Sequence, residues 1–495
     1  MKNAIASLFA HRTHAVLACS AAVLLAACGG TDTTDMTQTA ASVATGIAAS
    51  EANASGAAAA DPATASTDAP LSAESSLASN YEQEVAASSA VSAALDQVAA
   101  DSANADSAAA AAQESATAPV QAAAPAPAEG TRMLATVTRV NTAPAATTST
   151  YHLYVSTTGS DSNAGTQAKP LKTIAKAAAA AKAGTTIHVA AGTYKGNVST
   201  KVSGTSSNRI RFVSDTKWGA KIVGTGKEAM WTNRGNYVDI SGFDISGPGR
   251  HGILNNGSNT LMSNNNIHNI TVSGGCTGGG GAGIVNANYS GSNGDVIGNV
   301  VHDIGKPGGC NGVQGIYSAN KGGKIMNNVV YRSSSYGIHL WHAATDVLIA
   351  NNTVFANGSS GMGGGIVIGA GDAPGGVQVK NTKVINNIVY KNPRSGIMQY
   401  CYSGQSCIGS GNVTANNLVY GNGSNISLKT GSATGTVSAD PKFVSYNPTG
   451  TGDYRLGSGS PAANKGTSSS APATDIVGTA RPKGGAFDIG AYENY

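Results

Sequence analysis

Two short phrases alternate along the second half of the chain, and between them they set its organisation. One is a polar pair running into β-branched residues and then an aromatic ring. It reads Asn327-Asn328-Val329-Val330-Tyr331, Asn351-Asn352-Thr353-Val354-Phe355, Asn386-Asn387-Ile388-Val389-Tyr390 and Asn416-Asn417-Leu418-Val419-Tyr420. Gly298-Asn299-Val300-Val301-His302 and Asn264-Asn265-Asn266-Ile267-His268 are looser copies. The other phrase is Gly-Ile, at Gly252-Ile253, Gly283-Ile284, Gly315-Ile316, Gly337-Ile338, Gly365-Ile366 and Gly396-Ile397. The second asparagine recurs every 24 to 35 residues, the interval of a solenoid repeat. Each repeat holds three short β-branched stretches and no helical period, which predicts one coil of a parallel β-helix per repeat.

Stacked coils lie about 4.8 Å apart, so equivalent positions superpose. Asn265, Asn299, Asn328, Asn352, Asn387 and Asn417 are then expected to form an internal ladder, each amide bonding its neighbours and turn backbone that burial would otherwise leave unpaired. The isoleucine of every Gly-Ile, together with Ile267, Val301, Val330, Val354, Val389 and Val419, points inward as aliphatic stacks, and the glycines are read as permitting tight corners.

Composition divides the chain. Residues 29–131 carry 13 acids and no Lys or Arg, while the stretch from Arg132 onward carries 29 basic against 14 acidic residues, a net +15 that the whole-chain +4 conceals. A charge of that sign favours a polyanionic partner. Residues 1–28 combine Lys2 and Arg12 with an apolar run ending in Leu25-Ala26-Ala27-Cys28-Gly29, which resembles a bacterial lipoprotein signal and implies lipidation at Cys28. An ordinary secretory signal is the alternative. The run is too short to span a membrane, so contact with the membrane is through the lipid only. Residues 29–149 form an Ala/Ser/Thr-rich tether without the bulky apolar residues that offset the entropy of ordering. The protein is therefore read as exported: lipid-anchored to the cell envelope, at the outer membrane or its periplasmic or outer face, or secreted. A nucleic-acid partner is not expected, and a monomer is.

Cysteine placement fits export. Cys276 and Cys310 each follow a repeat histidine by eight residues, so they occupy equivalent places on adjacent coils, within disulfide reach. Cys401 and Cys407 close a short loop. Two disulfides, Cys276–Cys310 and Cys401–Cys407, are expected, with zinc binding as the alternative.

The folded region, 150–495, opens with Tyr151-His152-Leu153-Tyr154-Val155, Gly159-Ser160-Asp161, Pro170-Leu171-Lys172-Thr173-Ile174, a helix over Ala175–Ala183 and Gly192-Thr193-Tyr194. It closes with Asp440-Pro441-Lys442-Phe443 through Asp488-Ile489-Gly490-Ala491-Tyr492-Glu493. The opening resembles the N-terminal cap of right-handed β-helix proteins of the pectate-lyase-like superfamily and is similar to that of polysaccharide lyase family 9. The resemblance covers roughly 150 to 495, with 150–200 as cap and 437–495 as closing segment. It implies an all-β right-handed parallel β-helix with a short N-terminal capping helix, and a substrate groove on the outer face of the Gly-Ile sheet.

With isoleucine inward, alternation turns the residues one and three places later outward. In coil order these are Leu254 and Asn256, Val285 and Ala287, Tyr317 and Ala319, His339 and Trp341, Val367 and Gly369, and Met398 and Tyr400. Tyr317, His339, Trp341 and Tyr400 are thus expected to cluster mid-sheet, a proton-transfer group beside an aromatic sugar platform. Long loops at 268–283 and 302–315 would wall this face. His268 and His302 occupy the place of Tyr331 and Phe355 and are read as a structural stack, with His251 and His342 in reserve.

A uronic-acid polymer can be cut by β-elimination, which needs a partner for the carboxylate, a base and an acid. His339 and Tyr317 are the candidate base and acid, in either order, with Arg394 or Asn311 on the carboxylate and Lys306, Arg332, Trp341 and Tyr400 binding the polymer. Family 9 lyases use a lysine base and calcium held by clustered aspartates. Asp295, Asp303, Asp346 and Asp372 are scattered, so no calcium cofactor is expected and a polysaccharide lyase of another kind is. The alternatives are a C5-epimerase, a glycoside hydrolase (for which no facing carboxylate pair is visible on this sheet) and a non-catalytic glycan-binding adhesin.

Overall fold

In the computed structural model of the chain, the described residues are 151–494 except Lys227, 273–279, 307–311, 359–362, 371–376, 402–405 and 450–451. The expectations for the leader, its Cys28, the tether, the Cys276–Cys310 bond, Asn311 and Asp372 lie outside them.

The coils are those the two phrases predict. Among the described residues, three parallel sheets of eleven, nine and nine strands each take every third strand in sequence, apart from the consecutive first two of the largest, Tyr151–Val155 and Thr185–Val189. One coil runs Lys324–Met326, Val329–Ser333 and Tyr336–Leu340, and the next begins at Leu348–Ala350. Register is strict, with Val301, Val330, Val354, Val389 and Val419 in one column and Ile284, Ile316, Ile338, Ile366 and Ile397 in another. All of these side chains are fully buried.

The asparagine ladder forms as expected. In each step from Asn265 to Asn417, an amide Oδ1 accepts both the backbone N–H and the Nδ2 of the asparagine one coil earlier, at 2.9–3.1 Å. The same Nδ2 groups also donate to strand carbonyls, as Asn352 does to Ile325 at 2.8 Å. Two further ladders are not evident from the repeat pattern: Asn357–Asn392–Asn422 at the next corner and Asn233–Asn255–Asn286 at the third.

The glycines of Gly-Ile do not make the tight corners expected of them. The left-handed corner residues are the first asparagines of the pairs, Asn264, Asn327, Asn351, Asn386 and Asn416, with Gly298 in the same column, at φ of 52–70°. Each Gly-Ile glycine instead faces the valine column across a narrow interior. A Cβ on Gly315 would stand 2.5 Å from Val330, and one on Gly365 would stand 2.4 Å from Val389. The two repeated phrases are therefore complementary halves of one packing contact.

The cap helix spans Ile174–Ala180, starting one residue earlier than expected because Thr173 caps it by accepting from the Lys176 N–H at 3.1 Å. Ile174, Ala177 and Ala178 are buried, so the helix closes the core at the first coil. At the other end, Phe443–Ser445 and Asp453–Leu456 pair antiparallel. Phe443, Tyr446 and Tyr454 then cover the outward rings of Tyr331, Phe355 and Tyr390. The last residues run back over the asparagine corner, where Asn327, Asn351 and Asn386 donate to the carbonyls of Thr474, Asp488 and Thr467. One flank of the solenoid is thus occupied by its own C-terminal segment.

Candidate functional site

The closing segment occupies the outer face of the Asn-Val sheet, and that decides several residues. His268, His302, Tyr331 and Phe355 stack ring on ring, with centroids 4.7–5.2 Å apart and planes within 9°. Asp244 bonds His268 at 3.2 Å and Asp303 bonds His302 at 2.6 Å, so both histidines belong to this structural column. Arg332 lies on the same sheet, paired with Asp303 at 2.6 Å and bonded to the Thr449 carbonyl. It holds the closing segment and is turned from the Gly-Ile face, so polymer binding by Arg332 finds no support here.

On the Gly-Ile sheet, Tyr317, His339, Val367 and Met398 are in register on successive coils, as are Gly369 and Tyr400. The structure brings four of the expected residues together. Tyr317 stands edge-on to His339 with ring centroids 5.3 Å apart, His339 is 5.4 Å from Trp341, and Trp341 stacks on Tyr400 at 5.5 Å. The Trp341–Tyr400 pair spans two coil spacings, roughly 10 Å of backbone. It closes because Gly369 lies between them without a side chain.

Three more rings complete the cluster. Tyr336 packs on His339 at 4.7 Å, and Tyr289 packs on His342 at 4.3 Å. The Tyr289 hydroxyl and His342 Nε2 share a 2.8 Å hydrogen bond. His342, at φ 53°, is a non-glycine residue held left-handed directly after Trp341. Sequence alternation could not find Tyr336, because three residues from His339 places it on the opposite face of a regular strand. The ladder skips Gly337, however, with Tyr336 in register with Gly364 and Ile338 with Ile366. Tyr289 follows a strand in a turn and reaches across two coils, so no local pattern marks it.

Burial sets the electrostatics. His339 Nδ1 has no hydrogen-bond partner among the described residues. Loss of solvent, with His342 nearby, pushes its pKa down to about 3, so the imidazole is neutral at physiological pH. Desolvation raises the Tyr336 phenol to about 12. Trp341 is only 6 % exposed, so it acts as the floor under His339 and Tyr400. Tyr317, His339, Tyr289, Met398 and Tyr400 are the partly exposed members.

The cations lie apart. Arg394 is exposed in the turn before Ser395–Cys401, four residues upstream of Met398, roughly 13 Å along the strand from the cluster. Lys306 is exposed in the turn after Val300–Ile304, on the coil that carries Tyr317, where its carbonyl accepts from the Ser334 hydroxyl. His251 caps the neighbouring strand by accepting from the Ala282 N–H at 3.2 Å. Cys401 and Cys407 are disulfide-bonded and fix the chain directly after Tyr400.

Among the described residues, no group of three or more His, Cys, Asp or Glu could hold a metal ion. Asp295 bonds the Lys324 N–H, Asp303 pairs with His302 and Arg332, and Asp346 pairs with Lys321. These carboxylates do not converge, so a calcium centre of the family 9 kind does not fit them.

Gly369 yields a direct prediction. A Cβ there would stand 2.5 Å from Trp341 Cζ3, so Gly369→Ala forces the indole off Tyr400. We expect a loss of about 1–3 kcal/mol from overpacking and a changed near-ultraviolet dichroism of Trp341. An unaltered spectrum would mean that the stack does not form.

Residues 153–434 match the family model described as Pel9A-like, right-handed β-helix region. The uncharacterized protein YwoF of Bacillus subtilis (strain 168) is 48 % identical over 61 residues, 12 % of this chain and 13 % of its own length. The chain thus matches only about an eighth of that relative. Among solved structures, pectate lyase Pel9A superposes with a TM-score of 0.49 at 18 % identity, over 70 % of this chain and 96 % of its own. A rhamnogalacturonan lyase gives 0.40 at 17 %, over 60 % and 91 %. The mannuronan C-5 epimerase AlgE4 A-module of Azotobacter vinelandii gives 0.37 at 17 %, over 56 % and 73 %.

Proposed function

The chain belongs to the Pel9A-like right-handed β-helix family, and from that premise we propose that it is a polysaccharide lyase cutting an acidic, uronic-acid-containing polymer by calcium-independent β-elimination. The observation that carries this reading is the contact of Tyr317 with His339 on the Gly-Ile sheet, backed by Trp341 and Tyr400. The +13 excess of residues 150–495, 27 basic against 14 acidic, supplies a field that gathers a polyanion.

His339 is neutral, and because its Nδ1 is buried, Nε2 is the nitrogen left to accept a proton from a bound polymer. A base of so low a pKa gains strength only when a negative charge lies beside it, and a uronate carboxylate supplies that charge. The C5 proton goes to the imidazole, the C–H electron pair becomes the C4–C5 double bond, and the C4–O bond breaks with a proton delivered to the departing oxygen. Tyr317 stands beside His339 as the second proton-transfer group, and the order of the two can be reversed. Arg394, too far away for the reacting sugar, suits the carboxylate of a unit further along the polymer.

A second reading is favoured by the burial of Trp341 and the low basicity of His339: a glycan-binding adhesin that holds the polymer without cutting it. Incubation of the protein with pectate, alginate, glycosaminoglycans and bacterial exopolysaccharides separates the two, because elimination leaves an ultraviolet-absorbing unsaturated uronate. On an active substrate His339→Ala and Tyr317→Phe are expected each to lower kcat by about 10²–10⁴-fold with the fold intact. Because kcat/KM reports the free enzyme, it should stay level down to the His339 pKa of about 3, except where the substrate carboxylates themselves protonate. Binding without unsaturated product favours the adhesin, and full turnover by both variants refutes this site.

A further inference from the structure

Tyr289 belongs to no expectation drawn from the sequence and His342 only to its reserve, yet they form a directly hydrogen-bonded Tyr–His pair within this cluster. The bond is 2.8 Å, and the rings lie 4.3 Å apart. Tyr317 and His339 touch ring to edge. The geometry also connects the two pairs, since the His342 ring is 6.1 Å from that of Tyr317 and 6.4 Å from that of Trp341.

Three features separate this pair from ordinary packing. The two residues come from turns two coils apart, so forming the bond requires Tyr289 to reach over the coil that carries Tyr317. His342 sits in a left-handed conformation at φ 53°, which is strained for a residue with a Cβ and persists where the surroundings fix it. The imidazole is only 8 % exposed, whereas Tyr289 keeps a partly open surface. A phenol whose oxygen is held by a buried histidine while its edge faces solvent is arranged to exchange a proton with a bound molecule.

We infer that Tyr289 is a further catalytic residue, the proton donor to the departing oxygen, and that His342 positions it. The inference rests on the lyase reading and divides its proton transfers between two pairs. In the step, His339 takes the C5 proton and the C–H pair forms the C4–C5 double bond. The C4–O bonding pair leaves with oxygen, which takes the Tyr289 phenol proton. The resulting phenolate is held by the His342 Nε2–H and recovers its proton from water after product release. With His342 in its Nε2–H tautomer, Nε2 donates to the phenol oxygen throughout, which leaves the phenol proton free for the departing oxygen. This moves the leaving-group proton from Tyr317 to Tyr289, so Tyr317 borders the C5 side next to His339 and Tyr317→Phe should lower kcat less than Tyr289→Phe does.

The test uses the full-length protein on whichever uronan it cuts, with Tyr289→Phe, His342→Asn and the double variant. Asparagine tolerates the left-handed backbone but cannot reach Tyr289. Each single variant should lower kcat at least about 100-fold, and the double should be no worse than either, because the two act as one unit. A uronide oligosaccharide carrying a nitrophenolate leaving group at C4 needs no proton on departure. On it Tyr289→Phe should recover to within about threefold of wild type, while His339→Ala stays impaired, as a leaving-group acid requires. Tyr289→Phe turnover equal to wild type, or an equal deficit on both substrates, overturns the assignment while leaving the lyase reading in place. If the wild-type protein releases no unsaturated product from any polymer, the lyase reading falls and takes the assignment with it.

Discussion

Asn352→Leu should unfold at markedly lower denaturant than wild type, with a loss on the order of 4 kcal/mol. Asn352 Oδ1 is the acceptor for both the backbone N–H and the Nδ2 of Asn328 at 2.9 Å, and its own Nδ2 donates to Ile325 and Asn387. Leucine is nearly isosteric but cannot form any of these bonds. The Asn328 N–H is then orphaned in a fully buried corner, and three further groups lose one partner each. An unmade buried hydrogen bond costs about 1–3 kcal/mol, so the sum outweighs any gain from the apolar side chain. Asn293→Gly provides the contrast: that residue is exposed, its amide bonds Asn259 in solvent, and its φ of 57° suits glycine. Its effect should stay within about 0.5 kcal/mol. In urea titrations, near-equal midpoints for the two variants would show that the buried ladder is not what holds the corner.

The same contrast shows which features are legible in the sequence. The Asn328-Asn352-Asn387 column stands out because a solenoid repeats its corner chemistry at every coil, and each buried corner demands the same polar pair before its β-branched strand. The ladder at Asn357, Asn392 and Asn422 repeats only in the later coils and carries no second asparagine, so it merges with ordinary turn composition. At the site, period-two alternation sufficed for Tyr317, His339 and Tyr400, whose strands are regular at those positions. It failed for Tyr336 because the skipped Gly337 resets the face. It failed for Tyr289 and His342 because the turns that carry them vary in length from coil to coil. Arg332 misled for a related reason: a cation in a turn looks the same in sequence whether it faces a groove or clasps the closing segment to Asp303. Repetition identifies what every coil shares, whereas chemistry resides where one coil departs from its neighbours.

Arg481 is one such departure, and its replacement should be about as damaging. Its guanidinium donates to Glu493 Oε2 at 2.6 Å, to the carbonyls of Asp488 and Gly490, and to Asn327 Oδ1 on the asparagine corner. Both side chains of the ion pair are fully buried. Arg481→Met leaves Glu493 buried without its cation, a change that costs about 3–5 kcal/mol in comparable sites. Glu493→Leu combined with Arg481→Met removes both charges, so the double variant should recover much of that loss, with a favourable coupling readable from the cycle. The pH dependence tests the cause. Desolvation already raises the Glu493 pKa, and losing Arg481 raises it further, so the folded variant binds a proton that the unfolded chain releases. Its stability must then increase as pH falls through the folded-state pKa of Glu493. The deficit of Arg481→Met should therefore be largest at mildly alkaline pH and shrink on acidification, with no such trend in the double variant. A deficit that is independent of pH would assign the loss to the guanidinium's hydrogen bonds to the corner and not to the stranded carboxylate.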